Sequence, residues 1–226
     1  MRLLRRCLLA MALVTFAAGP CYALTEQKEM VQRAHITVQK LQQSKDIGNS
    51  VTELLSKAKG VLIFPNLYKG AFLFGAEGGS GVLMAKGGEG RWSYPAFYFL
   101  GSGSFGLQFG AQTAEVMLLI MTERGLNAIL NQKVKIGADV NAAIGPYGVG
   151  AKAATTANLG ADIFTYSLNQ GAFMGFSVEG AVIYPRSEWT TGYYGNNRAT
   201  PRAVVIEGKF ANPHADALRE SLLQPR

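Results

Sequence analysis

Few residues of this 226-residue sequence could carry out catalysis. Histidine occurs twice, at His35 and His214, and neither has a second metal ligand or a nucleophile near it in the sequence. A zinc site or a hydrolytic triad requires several such residues together. The acidic residues that fall in or beside apolar runs occur singly; they are Glu77, Glu115, Asp162 and Glu179. Because an unpaired charge there is costly, we expect each to pair with a basic residue or a backbone donor.

The glycine and serine motifs do not point to catalysis either. Gly101, Gly103 and Gly106 follow the spacing G-x-G-x-x-G, but a strand-like run follows them where a dinucleotide site needs a helix. The sequence contains no phosphate-binding Gly-Lys-Ser/Thr, and Val82 stands where the second glycine of a G-x-S-x-G motif around Ser80 would be. We therefore predict that the protein is not an enzyme and uses no cofactor and no metal.

The first 23 residues have the pattern of a signal peptide. Three arginines precede an apolar run of about 12 residues, which is shorter than the roughly 20 needed to span a bilayer. Small residues at Cys21 and Ala23 predict cleavage before Leu24, and hence an exported protein that is periplasmic, envelope-associated or secreted. Acylation of Cys21 in a lipoprotein is the alternative. Cleavage before Leu24 removes both cysteines, and with them disulfides and thiol catalysis.

The charge balance is mildly basic. The whole chain has 22 basic and 15 acidic residues, and loss of the three leader arginines leaves 19 against 15, a net charge of +4. This bias is consistent with an anionic surface as partner. Aromatic residues fall on apolar strand faces and do not alternate with basic residues, so nucleic acid is not predicted as a partner.

Residues 57–77 predict the central hairpin. The apolar runs Val61–Phe64 and Ala71–Phe74 flank a short turn that contains Asn66 and Lys69, and we expect Pro65 to end the first strand. Basic residues flank the apolar runs here and further along the chain. Those that we select as candidate binding residues are Lys57, Lys59, Lys69, Lys86, Arg91 and Lys152.

The remaining pattern is that of one α+β domain. Met30, Ala34, Val38 and Leu41 share one face of a helix over residues 25–45, and Ser50 with Glu53 forms a capping box for a short second helix. Thr122 caps a helix through Leu130, and Asn212-Pro213 starts a C-terminal helix. We predict strands over 115–121, 134–142, 162–168, 172–184 and 204–206, and a polar loop over 186–202.

These elements predict a mostly antiparallel, glycine-rich sheet with a barrel-like core and with N-terminal, short internal and C-terminal helices. The predicted organisation is a signal peptide over 1–23, an N-terminal helix over 24–49, the main domain over 50–210 and a C-terminal helix over 211–226.

Several motifs resemble the SYLF domain family, which is also catalogued as a yeast-type actin-binding domain. They are AKGVLIFPNLYKGAFLFGAEGGSGVLMAK (58–86), GRWSYPAFYFLGSGSFGLQFGAQ (90–112), AAIGPYGVGAKAA (142–154), IFTYSLNQGAFMGFSVEGAVI (163–183) and GYYG (192–195). They occur in the same order as in the family and together extend over roughly residues 50–195, which is most of the chain after the leader.

The resemblance implies non-enzymatic binding of anionic lipid headgroups, which are phosphoinositides in eukaryotic members. Lys59 matches the lysine of the family's AKG motif, and Lys69 matches the lysine before the following turn. The other four candidates come from turns that flank the core. The expected partner is thus an anionic phospholipid membrane surface.

This sequence differs from the family pattern in two respects. Its N-terminal helix is polar and only modestly basic, and its leader predicts export to a compartment without phosphoinositides or actin. We therefore expect actin not to be a partner. The alternative function is a structural envelope protein that binds a protein or polymer, with lysines that serve only solubility.

Overall fold

The structure, a computed structural model, describes residues 25–71, 74–105, 110–131, 133–145, 160–170 and 178–223. The helices are α1 (Glu26–Gln43), α2 (Gly48–Lys57), α3 (Glu123–Asn131), α4 (Ser187–Tyr194), α5 (Pro201–Val205) and α6 (Asp216–Leu222), with a 3-10 turn at Pro213–Ala215. The strands are β1 (Gly60–Ala71), β2 (Phe74–Ala85), β3 (Ala96–Phe105), β4 (Gly110–Ile120), β5 (Val134–Lys135), β6 (Ala142–Ile144), β7 (Ile163–Gln170) and β8 (Val182–Pro185). The α+β prediction is confirmed.

One sheet contains all eight strands, in the order β5-β8-β3-β2-β1-β4-β7-β6. Every neighbouring pair is antiparallel except β6 and β7, which are parallel. A bridge between Ile136 and Val140 joins the segment after β5 to the segment before β6. Because β5 and β6 are the two edge strands, this bridge brings the edges together and the sheet curls into a half-barrel. The predicted barrel-like core is confirmed in this form.

Side chains alternate between two buried faces along the central strands. Val61, Ile63 and Met117 belong to the core on the side of α1, α2 and α6. Leu62 and Leu118 belong to the core on the side of α3 and α5. Burial on both faces explains why the strand sequences are continuously apolar, since each such side chain contributes about 1.5–3 kcal/mol when fully buried.

A bulge interrupts β1 at Pro65. Between Ile63↔Val82 and Tyr68↔Gly78, β1 has one residue more than β2, and the register with β4 shifts at the same place. Proline has no N–H to donate to a ladder, and a bulge tolerates it within a central strand. The prediction that Pro65 ends the strand is therefore wrong, because β1 continues to Ala71. The predicted hairpin turn at Asn66 and Lys69 is wrong for the same reason, since both residues lie within β1 and β2 begins only at Phe74.

Two glycines of β2 make room for the bulge. A Cβ atom at Gly79 would lie 2.2 Å from the carbonyl oxygen of Asn66, and one at Gly81 would lie 2.3 Å from that of Ile63. Both contacts are with backbone, which cannot rotate away. The close approach of β1 to β2 at the bulge thus depends on glycine at these two positions.

The C-terminal third is more helical than predicted. Residues 187–194 and 201–205 form α4 and α5, so the polar loop over 186–202 and the strand over 204–206 are both wrong. Thr200 explains the second error, because its side chain accepts a hydrogen bond from the Ala203 N–H at 3.2 Å and Pro201 follows it at the first helical position. This start signal outweighs the β propensity of the following valines.

Three further boundaries can be compared with the predictions. The capping box at Ser50 is wrong, because α2 already begins at Gly48. The strand over 134–142 is divided, with Gly137 at φ 90° in the turn between β5 and β6. The Thr122 cap is confirmed by a 3.0 Å hydrogen bond from the Gly125 N–H to its hydroxyl. Residues 172–177 of the strand predicted over 172–184 lie outside the described part of the chain.

Candidate functional site

Four of the six candidate basic residues meet at one end of the sheet, where α2 ends, β1 begins and β2 ends. We call Lys57, Lys59, Lys86 and Arg91 the basic corner. The Lys86 N–H donates to the Lys59 carbonyl at 2.9 Å, and the Gly87 N–H donates to the Arg91 carbonyl at 2.8 Å. The backbone of the β1–β2 pair and the turn after β2 thus fix the relative positions of these residues.

Three of these cations form exposed ion pairs. Lys57 lies 2.8 Å from Glu53, Lys59 lies 3.4 Å from Glu123, and Arg91 pairs with Glu89. The three basic side chains are between 50% and 72% exposed. Exposed pairs of this kind contribute only about 0–1 kcal/mol, so a phosphate can compete with the carboxylates for these cations.

Lys86 makes different contacts from the other three. Its Nζ donates to the Ser56 carbonyl at 2.7 Å, in the last turn of α2, and lies 5.8 Å from the centre of the Trp92 ring. A cation at a helix C-terminus is favourable because it offsets the partial negative charge of the terminal carbonyls. Lys86 therefore stabilises the end of α2 and also adds positive charge to the corner.

The basic corner has a small positive excess. Its four cations and their three carboxylate partners give a net charge of +1. Arg91 and the lysines can donate charge-assisted hydrogen bonds to phosphate oxygens. The arrangement is therefore suited to a phosphate group at the protein surface.

The other two candidates do not belong to this corner as far as the structure describes them. Lys69 lies ten residues beyond Lys59, near the far end of β1, which places their backbones about 30 Å apart. The side chain of Lys69 and all of Lys152 lie outside the described part of the chain. The lysines that bracket the hairpin therefore stand at its opposite ends.

A second surface feature lies between α1, the β1 bulge and β4. We call it the helix groove; it has a volume of about 410 Å³. Its lining residues are Glu29, Gln32, Arg33, Ile36, Thr37, Lys40, Pro65, Asn66 and Glu115. Ile36 is 47% exposed, and Tyr68, two residues beyond Asn66 on β1, is 61% exposed. Exposed aromatic and aliphatic side chains among charges are typical of protein interfaces.

Glu115 forms the floor of the helix groove. Its carboxylate accepts a 2.6 Å hydrogen bond from the Thr37 hydroxyl and a 2.6 Å bond from the Lys40 ammonium group. The carboxylate thus links the middle of β4 to α1. The sequence-based expectation that this acidic residue is paired is confirmed.

Asp162 is the acidic residue with the most partners. It is 2% exposed and accepts from the Thr122 hydroxyl at 2.6 Å, from the Asn141 N–H at 3.1 Å and from the Arg124 guanidinium. Burial alone would raise the pKa of Asp162, but these hydrogen bonds and the charge of Arg124 hold it below its ordinary value. The predicted pairing is again confirmed, and the carboxylate is committed to structure.

The two histidines have no catalytic partner among the residues that the structure describes. His214 lies 3.4 Å from the Tyr193 hydroxyl and 3.5 Å from the Gln32 side chain, and burial, followed by the charge of Lys28, lowers its pKa. Over the same described ranges, no three acidic, histidine or cysteine side chains gather where they could hold a metal ion. None of the described helices combines the length and hydropathy needed to cross a bilayer.

Sequence reasoning missed Trp92 and the helix groove. Trp92 is 2% exposed beneath the basic corner, and its indole N–H donates to the Leu222 carbonyl at 3.0 Å, 130 residues away. A contact so distant along the chain leaves no local sequence signal. Ile36 and Tyr68 occur in segments that were interpreted as core-facing helix and turn, and only their exposure identifies the groove.

A family model described as "Las17-binding protein actin regulator" (Ysc84) matches residues 101–224. The chain is 31% identical over 166 residues to "LAS seventeen-binding protein 3" of Saccharomyces cerevisiae, which is 72% of this chain and 36% of the relative. It is 31% identical over 165 residues to "Protein YSC84" of the same yeast, covering 72% and 35%. It is 26% identical over 170 residues to "SH3 domain-containing YSC84-like protein 1" of Xenopus laevis, covering 75% and 50%. The chain thus spans between a third and a half of these relatives.

These comparisons correct the predicted partners. We expected actin not to be a partner, on the basis of the export signal. The matching family model is described as an actin regulator, and a yeast relative is named for Las17 binding. The exclusion of actin is therefore wrong.

Proposed function

This chain belongs to the Ysc84 (SYLF) family of Las17-binding actin regulators, and from that premise we propose that it is a non-enzymatic binding domain whose basic corner binds the phosphate headgroups of anionic lipids. The observation that carries the proposal is the meeting of Lys57, Lys59, Lys86 and Arg91 at one corner, although they come from separate segments. The pairing of β1 with β2 brings the two stretches, 57–59 and 86–91, side by side.

The electrostatics of the corner suit a charged surface. A cation close to an anionic membrane contributes about 1 kcal/mol, and the exposed ion pairs cost little to open. Several cations on a rigid corner can act together, because α2 and the β1–β2 hairpin hold their backbones. The attraction should weaken as ionic strength rises, since salt screens exposed charges over about 10 Å at 0.1 M.

The test is co-sedimentation of residues 24–226 with vesicles of phosphatidylglycerol, at low and at high salt. The double variant Lys59→Gln/Lys86→Gln removes two of the corner charges. At about 1 kcal/mol for each, we expect vesicle affinity to fall roughly thirtyfold.

A matched variant distinguishes binding at the basic corner from an effect of net charge alone. Lys133→Gln/Lys209→Gln removes the same charge from two exposed positions outside the corner. We expect it to retain nearly all of the binding. Equal loss in both variants would show that only net charge matters, and failure of the wild-type protein to bind anionic vesicles would overturn the proposal.

A second candidate function is the binding of an actin-pathway protein at the helix groove. The names of the relatives favour it, and so does the exposure of Ile36 and Tyr68 beside that groove. Tyrosine and arginine are frequent among the residues that dominate interface energies, and Arg33 lines the same groove. The groove and the basic corner are distinct surfaces, so the two functions are compatible.

Co-sedimentation with actin filaments tests this second function. Ile36→Glu/Tyr68→Ser should weaken filament binding at least about thirtyfold, because a single hot-spot residue contributes about 2 kcal/mol or more. The control Ile206→Glu/Tyr184→Ser changes two residues of the same types that are 47% and 41% exposed elsewhere. If neither pair of substitutions reduces the binding of a protein that does bind filaments, the helix groove is not the site.

We also propose export through residues 1–23. The basic start, the short apolar run and the small residues before Leu24 support it.

A further inference from the structure

A mostly apolar groove adjoins the basic corner. We call it the corner groove; its volume is about 350 Å³. Its walls come from the last two turns of α2, from the segment that joins β2 to β3, and from the end of α6. The residues that the following argument uses are Leu55, Lys86, Gly90, Trp92 and Leu223.

The inner surface of the corner groove is mostly hydrocarbon, with the hydroxyl residues Thr52 and Ser56 on the α2 wall. Leu55 and Trp92 are 3% and 2% exposed and form the floor. The polar atom of Trp92 is already used, because its indole N–H donates to the Leu222 carbonyl at 3.0 Å. Leu223, 45% exposed, adds an apolar side chain at the rim. A water-filled groove of this kind gains free energy when an apolar group displaces the water.

Positive charge borders the same groove. Lys86 is one of its lining residues, and Lys57 and Arg91 each follow a lining residue, Ser56 and Gly90, directly in the chain. A ligand that uses both features must have an anionic head and an apolar tail that are covalently joined. A free phosphate or an inositol phosphate would use the cations and leave the groove empty.

We propose that the corner groove holds the upper part of one acyl chain of an anionic lipid whose phosphate binds the basic corner. This inference rests on the proposed function and makes it more specific. The lipid is then partly lifted from the bilayer, so binding depends on the tail as well as on the charge.

The two tryptophans of the chain provide the experiment. Trp92 lies in the groove, and Trp189 lies on α4 with the Arg186 guanidinium 3.5 Å from its ring centre. The variant Trp189→Phe leaves Trp92 as the only reporter. Phosphatidylglycerol with brominated acyl chains, which quench indole fluorescence on contact, should cause loss of the Trp92 signal. The control uses vesicles of the same lipid without bromine, which should leave the Trp92 signal of this variant unquenched.

A second measurement does not depend on fluorescence. Leu223→Gln should weaken vesicle binding about fivefold, because it removes apolar contact from the rim. The control Ile206→Gln changes a similarly exposed residue that directly follows α5, and it should have no effect. Competition with glycerol 1-phosphate, which has the head and no tail, should displace the lipid poorly.

The outcomes separate the two proposals. If the vesicles bind in a salt-sensitive way but brominated chains leave Trp92 unquenched and Leu223→Gln has no effect, the acyl-chain site is wrong and the headgroup site stands. If glycerol 1-phosphate competes as well as the intact lipid, the groove also plays no part. If anionic vesicles do not bind at all, both proposals fall.

Discussion

Replacing Asp162 with alanine should lower the free energy of unfolding by about 3 kcal/mol. The substitution removes one acceptor from the Thr122 hydroxyl, the Asn141 N–H and the Arg124 guanidinium at once. Thr122 lies between β4 and α3, Arg124 lies on α3, and Asn141 directly precedes β6, so a single carboxylate joins three parts of the chain. Urea denaturation followed by circular dichroism measures the loss.

The pH dependence provides an independent check. The pKa of Asp162 is lower in the folded protein than its ordinary value of 3.8. A group of this kind contributes stability above its unfolded pKa and loses that contribution as the pH falls through its folded pKa. The stability difference between the wild type and Asp162→Ala should therefore be full at neutral pH and shrink below about pH 4.

Arg124→Ala is the matched control. The Arg124 side chain is 63% exposed, so its pair with Asp162 is partly screened by water. We expect this variant to cost less than about 1 kcal/mol. If Asp162→Ala costs no more than Arg124→Ala, the carboxylate does not have the structural role assigned to it.

Replacing Gly81 with alanine should destabilise the protein by about 3 kcal/mol or more. The added Cβ would lie 2.3 Å from the Ile63 carbonyl oxygen and 2.5 Å from the Phe64 ring. Neither distance is tolerable, and the first contact is with backbone in the centre of the sheet. Relief requires β1 to separate from β2 at the bulge, which disturbs both cores. Thermal or urea denaturation measures the effect.

Gly103→Ala serves as the comparison. Gly103 is also a strand residue, on β3, but nothing lies within 4 Å of its added Cβ. Its substitution should change stability by less than about 0.5 kcal/mol. A similar cost at both positions would mean that strand propensity, and not the close approach at the bulge, decides the requirement at Gly81.

The start of β1 and the paired carboxylates could be predicted because their signals are local. The apolar run Val61–Phe64 indicates a buried strand, and isolated acidic residues beside apolar strands indicate partners for Glu115 and Asp162. The hairpin turn could not, because the sequence pattern places it at Asn66 and Lys69, which lie within β1. The prediction at Pro65 is wrong because proline lacks the N–H that a regular central strand needs, whereas a bulge tolerates it. The strand predicted over 204–206 is wrong because the Thr200 cap and Pro201 start a helix there, and these signals outweigh the β propensity of the valines.

The candidate site could be predicted in its residue types but not in its grouping. Lys59 and Lys69 both match lysines of the family motifs, yet Lys59 directly precedes β1 and Lys69 lies near its far end. The pairing of the start of β1 with the end of β2 places Lys86 beside Lys59, and this follows only from register. Trp92 joins the site through α6, at the opposite end of the chain, by a contact that no local pattern encodes.

The arrangement of strand lengths has a consequence for the behaviour of the protein at high concentration. In the part of the chain that the structure describes, the outermost strands β5 and β6 are two and three residues long, while the 10- to 12-residue strands β1–β4 lie inside. Long glycine-rich apolar strands, if left at an edge, would present unpaired N–H and C=O groups to other copies and promote aggregation. Here β1, β2 and β4 each lie between two long strands or beside β7, and β8 covers the outer side of β3 at Tyr98–Gly101, so strand order protects most of the length of the segments that could pair with other copies.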